Sequence, residues 1–208
     1  MKNTFIALMS VMASASAAVI TATNSSGFST NQIADENGDL LNGASVSLGF
    51  FDDSVSDMQI ASITTSEELD VALDSFVELA NATTQAITLG PANLSGVFSI
   101  TDSTTDLAND QFGGVNLSLV ITSDTGAFVY TFADALPSVE PSVVGLNLGG
   151  TEPSAGTILL GSVGDSVVTF GATSTTTFNL TEISQVPEPT SGMLLGLAGL
   201  ALVARRKR

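Results

Sequence analysis

From Asn3 to Ala204 the chain has no lysine, arginine or histidine, and it has no cysteine at any position. A domain folded from this stretch cannot pair its carboxylates with basic side chains and cannot form a disulfide. It must be held by apolar burial and hydrogen bonding. The five bases are Lys2, Arg205, Arg206, Lys207 and Arg208, so all positive side chains lie close to the two ends of the 208-residue sequence. This partition excludes several function classes. Nucleic-acid binding uses Lys and Arg to displace phosphate counterions, and the body has neither. Zinc sites of the Cys/His kind, thiol chemistry and histidine-based triads lack their ligands and bases. The two ends need a separate explanation from the middle.

At the N-terminus, Lys2 precedes an apolar run from Phe5 to Met12, and small residues follow from Ala13 to Ala18. The run is too short to span a bilayer, which takes roughly 20 residues. A short positive start, an apolar middle and a small-residue finish are expected of a cleaved secretory signal peptide, here residues 1–18. The cleavage region is Ala15, Ala17 and Ala18. Both Ala15-Ser16-Ala17 and Ser16-Ala17-Ala18 offer small side chains at the two positions that signal peptidase reads. No cysteine stands at the cut, which rules out a lipoprotein anchor.

Residues 186–208 have a different three-part order: Val186-Pro187-Glu188-Pro189, an apolar run to Ala204, then Arg205-Arg206-Lys207-Arg208. The uncharged stretch from Pro189 to Ala204 is 16 residues, at the short end for a transmembrane helix but within what flanking residues and a thin membrane accommodate. The basic cluster would hold the tail on the cytoplasmic side and leave the body outside. Pro187 and Pro189 favour extended backbone, the form that proteases read.

This end resembles the PEP-CTERM sorting signal of exosortase substrates. The resemblance rests on Pro187-Glu188-Pro189, the Gly/Leu/Ala-rich apolar segment and the terminal Arg/Lys cluster, and it covers about the last 22 residues. It implies that Pro187, Glu188 and Pro189 are a recognition element for an exosortase-like membrane protease. It also implies an exopolysaccharide-secreting Gram-negative host. The protein would be anchored transiently in the inner membrane and then pass to the cell surface or extracellular matrix.

Between these ends, residues 19–185 make one domain's worth of chain. This body carries 20 acids and no base, because only Glu188 of the 21 acids lies outside it. Its dominant pattern is alternation of apolar and small polar residues, over Ala44–Phe51, Val115–Thr122 and Ala127–Phe132. Further expected strands are Gly96–Ile100, Thr157–Val163, Val167–Phe170 and Thr175–Ile183, bounded by turn-forming Gly, Asp, Asn or Pro. Asp124-Thr125-Gly126 reads as a hairpin loop. The expected fold is mainly β: a single β-sandwich or barrel-like domain with one amphipathic helix. That helix starts at a capping box, Thr65 with Glu68, and Leu69, Ala72, Leu73, Phe76, Val77 and Ala80 continue at helical spacing.

Catalytic constellations are sparse. Asp124-Thr125-Gly126 looks like the aspartic-protease triplet, but the chain has one copy, so two carboxylates would require a homodimer. A carboxylate-dependent glycosidase would lack tryptophan as a sugar platform. No cofactor is expected; calcium is the one the composition leaves open, since hard cations take oxygen ligands from acidic loops, although solvated turn acids are the favoured reading. Asp35 with Asp39, and Asp102, Asp106 and Asp110, are such clusters, although none has EF-hand spacing. The leading expectation is a non-catalytic exported protein of the cell surface or extracellular matrix. The alternatives are a retained single-pass membrane protein with an external glycan- or partner-binding β domain, and a secreted carboxylate-dependent hydrolase.

Overall fold

Alternation of apolar and small polar residues produces three long strands that lie side by side at the centre of the fold. The computed structural model describes residues 18–26, 29–89, 92–103, 105, 107, 110–138, 143–149, 154–170 and 173–185. In chain order it begins with β1 (Val19–Thr23), β2 (Ser25–Ser26), β3 (Ser29–Thr30), β4 (Gln32–Ala34) and β5 (Ser45–Phe51). Helices α1 (Asp57–Ala61) and α2 (Ser66–Leu73) come next. They lead into β6 (Phe76–Thr83), β7 (Gln85–Leu89), β8 (Ala92–Val97), β9 (Ser99–Asp102) and β10 (Asn116–Thr122). The rest comprises β11 (Gly126–Ala135), β12 (Val143–Asn147), β13 (Gly156–Leu160), β14 (Ser162–Phe170), β15 (Thr173–Asn179) and β16 (Thr181–Glu182).

The main sheet has the order β13-β11-β10-β5-β6, with β16 added to β11, and its pairings are antiparallel. Its period-2 alternation sends side chains into two cores. Val46 and Leu48, Leu117, Leu119 and Ile121, and Phe128 and Phe132 point to one side. Val120, Ala127, Val129 and Leu160 point to the other. The first core is closed by the sheet β12-β1-β9 through Ile20, Ala22 and Ile100, and by the sheet β14-β15-β4 through Ile33 and Phe178. The second is closed by the helices, through Ile60 and Ala72, and by Ile183. The molecule is therefore mainly β, with sheet packed on sheet and the helices on the outer face. Each fully buried Leu, Ile or Phe contributes about 1.5–3 kcal/mol, and with neither disulfides nor bases in the body these burials dominate its stability.

The helix stops short of its expected length. Thr65 and Glu68 do form the capping box, but α2 ends at Leu73, and Phe76–Thr83 is strand β6. Phe76 and Ala80 fit a period of two as well as a period near four, so the local pattern allowed either. Continued as a helix, Asp70, Asp74 and Glu78 would stack like charges one turn apart. As a strand, the segment pairs with β5, and the Phe51 and Phe76 rings meet at 4.9 Å. A second helix, α1, was not expected; Ser56 and Gln59 form its own capping box. The expected strand Thr157–Val163 is divided at Gly161, whose φ is 104° and whose Cβ, if present, would lie 2.3 Å from the Phe128 ring.

Candidate functional site

The place where the body hands over to residues 186–208 is built from three elements. Strand β16 pairs with the start of β11, setting Glu182 opposite Gly126 and Thr181 opposite Ala127. Beyond it, the Ile183 amide donates to the Thr125 carbonyl at 2.9 Å, and the Ile183 side chain enters the second core. The Ser184 amide donates to Thr64 O at 3.0 Å, and Ser184 O accepts from the Ser66 amide at 3.1 Å. The Gln185 side-chain amide donates to Asp124 O at 3.1 Å. The chain is thus tied down residue by residue as far as Gln185.

Helix α2 supplies one wall of this junction because its capping box fixes the Thr64–Ser66 backbone. Glu68 Oε2 accepts from the Thr64 amide at 2.9 Å, the Thr65 amide at 3.1 Å and the Thr64 hydroxyl at 3.1 Å. The Thr64 amide, then the other donors, hold the Glu68 carboxyl below its ordinary pKa. The β10–β11 hairpin supplies the opposite wall, where the Ser123 amide donates to Gly126 O at 2.9 Å. A cleft of about 540 Å³ lies between them, lined by Ser66, Asp70, Ser123, Asp124 and Gln185 among others. Asp124 and Thr125 lie in the hairpin loop that the sequence suggested, with Asp124 exposed and Gly126 already the first residue of β11.

The next residues in the sequence are Val186-Pro187-Glu188-Pro189, which lie outside the described residues. Residues 185–208 match the family described as the PEP-CTERM protein-sorting motif. The chain carries a PEP-CTERM sorting motif. No curated protein and no solved structure matches it. A PEP-CTERM motif marks a chain for export in Gram-negative bacteria and for processing by an exosortase-type membrane enzyme, which sorts it to the cell surface. The match begins at Gln185, the last residue that the described structure holds.

Other residues singled out in the sequence are placed as follows. Ala15 and Ala17 lie outside the described residues, as do Arg205, Arg206, Lys207 and Arg208; Ala18 is described and buried. Among the described residues no helix is long and apolar enough to cross a membrane. The Asp35 carboxylate caps its own turn, accepting from the Asn37 and Asp39 amides at 2.9 Å each, while Asp39 is exposed. Asp102 Oδ2 accepts from the amide and hydroxyl of Thr105, Asp110 O accepts from the Gly113 amide, and Asp106 lies outside the described residues. Among the described residues the structure gathers no group of three acids that could hold a metal. The pairing of Ser184 with the start of α2 was missed from sequence. The capping box was legible, but nothing local says which distant strand docks beside it.

Proposed function

We propose that the chain is the precursor of a non-catalytic surface or extracellular-matrix protein, released from the inner membrane when an exosortase-like enzyme reads Pro187, Glu188 and Pro189. The N-terminal secretory signal is cleaved after Ala17 or Ala18, and the apolar run ending at Ala204 holds the precursor in the membrane with Arg205–Arg208 inside. The single observation that carries this reading is the PEP-CTERM match over residues 185–208, next to a domain hydrogen-bonded as far as Gln185. A domain followed in sequence by a PEP-CTERM motif is the layout of a cargo with a detachable address. The body's acidity fits a hydrated matrix, where net charge keeps proteins soluble and attracts divalent ions diffusely; exopolysaccharide is the matrix partner in this reading.

The test replaces Pro187, Glu188 and Pro189 with alanine in a host that has an exosortase-like enzyme. The variant is expected to accumulate as full-length precursor in the inner-membrane fraction, while the parent reaches the surface. Equal surface delivery of variant and parent would sink the reading. A parent that stays in the membrane with its tail intact would favour the retained single-pass form.

A further inference from the structure

Two adjacent peptide bonds satisfy signal peptidase in this sequence, the one after Ala17 and the one after Ala18, and the fold distinguishes them. Ala18 is 1% exposed and belongs to the main core. Its amide nitrogen donates to the Thr105 carbonyl at 2.9 Å. Thr105 is also buried and is held in place by Asp102, whose Oδ2 accepts from the Thr105 amide at 3.0 Å and from its hydroxyl at 2.6 Å. Asp102 sits opposite Ile20 in the β1–β9 pairing, which sets it beside the start of β1. A cut after Ala18 removes a buried methyl group and deprives the Thr105 carbonyl of its donor at that position, the costly way to leave a buried polar group. A cut after Ala17 keeps both.

We propose that the mature chain begins at Ala18, and that its new α-ammonium docks on the Thr105 carbonyl, beside Asp102, as the only positive charge of the mature body. This rests on the cleaved-signal reading above. Hydrolysis of the Ala17–Ala18 bond consumes one water: Ala17 departs with the new carboxylate, and Ala18 keeps the new amine, which is largely protonated at neutral pH. Every basic side chain is discarded with the two ends, since none lies between Asn3 and Ala204. The nitrogen that donates to Thr105 as an amide then donates as a cation, and charge-assisted hydrogen bonds are the stronger kind. The Asp102 carboxylate next to this acceptor and the surplus of acids throughout the body favour the charge.

Because the mature body has no lysine, its N-terminus is its one primary amine, and an acylating N-hydroxysuccinimide ester reports on that atom alone. The exported protein is collected from the cell surface, its first residue is sequenced, and acylation rates are compared in the native and urea-unfolded states. The expected result is Ala18 as first residue, with acylation at least about tenfold slower in the folded protein. Val19 as first residue overturns the inference while leaving export intact. So do equal acylation rates in the two states. Met1 as first residue overturns the inference together with the cleaved-signal reading on which it rests.

Discussion

Asn24 shows how a base-free body builds internal order from neutral groups. It is fully buried, its side-chain nitrogen donates to the Asn31 and Gly96 carbonyls at 2.8 Å each, and its side-chain oxygen accepts from the Phe98 amide at 2.9 Å. One amide thereby ties the end of β1 to the approach to β4 and to the β8–β9 segment. Asn24→Ala leaves three backbone groups unpaired in the interior, at about 1–3 kcal/mol each when fully orphaned. Urea denaturation is expected to show a loss of about 3 kcal/mol or more. Asn81→Ala, at an exposed asparagine, is expected to stay within about 0.5 kcal/mol of the parent. Both asparagines stand in Asn-x-Ser/Thr triplets and look alike in sequence. The difference is burial by strands far away in the chain, which no local pattern carries.

Helix α2 was half legible for a related reason. Its start is encoded within four residues, Thr65 to Glu68, whereas its end depends on the competing pairing of Phe76–Thr83 with β5. The start also responds to pH. Hydrogen bonds hold the Glu68 carboxyl below its ordinary value of 4.5 in the folded state. Its contribution is therefore present above the unfolded value and is lost as pH falls through the folded one. Glu68→Gln keeps an acceptor that does not titrate in this range, so its stability is expected to fall less steeply than the parent's on acidification below 4.5. Parallel curves would remove Glu68 from the account. The same helix end anchors the C-terminal side of the domain. A chain ending at Gln185 is expected to melt within about 2 °C of one that retains residues 186–208. A chain ending at Leu180 loses β16 and the buried Ile183, and is expected to melt at least about 5 °C lower.

On the scale of the whole molecule, the legible parts are those written in short-range pattern: alternating strands, the Asp124-Thr125-Gly126 hairpin and the PEP-CTERM motif. What was not legible is the wrapping. β1 pairs in parallel with β12, aligning Val19 with Val143, and β4 pairs in parallel with β15, aligning Gln32 with Thr177. These contacts join the start of the domain to its end, so their register is set by the assembled core and not by neighbours in sequence. They also place the two boundaries of the domain, Ala18 and Gln185, inside its hydrogen-bonded framework. If the two ends are removed as proposed, the hydrogen bonds of Ala18 and Gln185 stay with the body. The intact mass of the surface-delivered protein tests this most directly. The account predicts a mass that lacks Arg205–Arg208 and retains every residue from Ala18 through Gln185; a surface protein still carrying the Arg-Arg-Lys-Arg tail would contradict it.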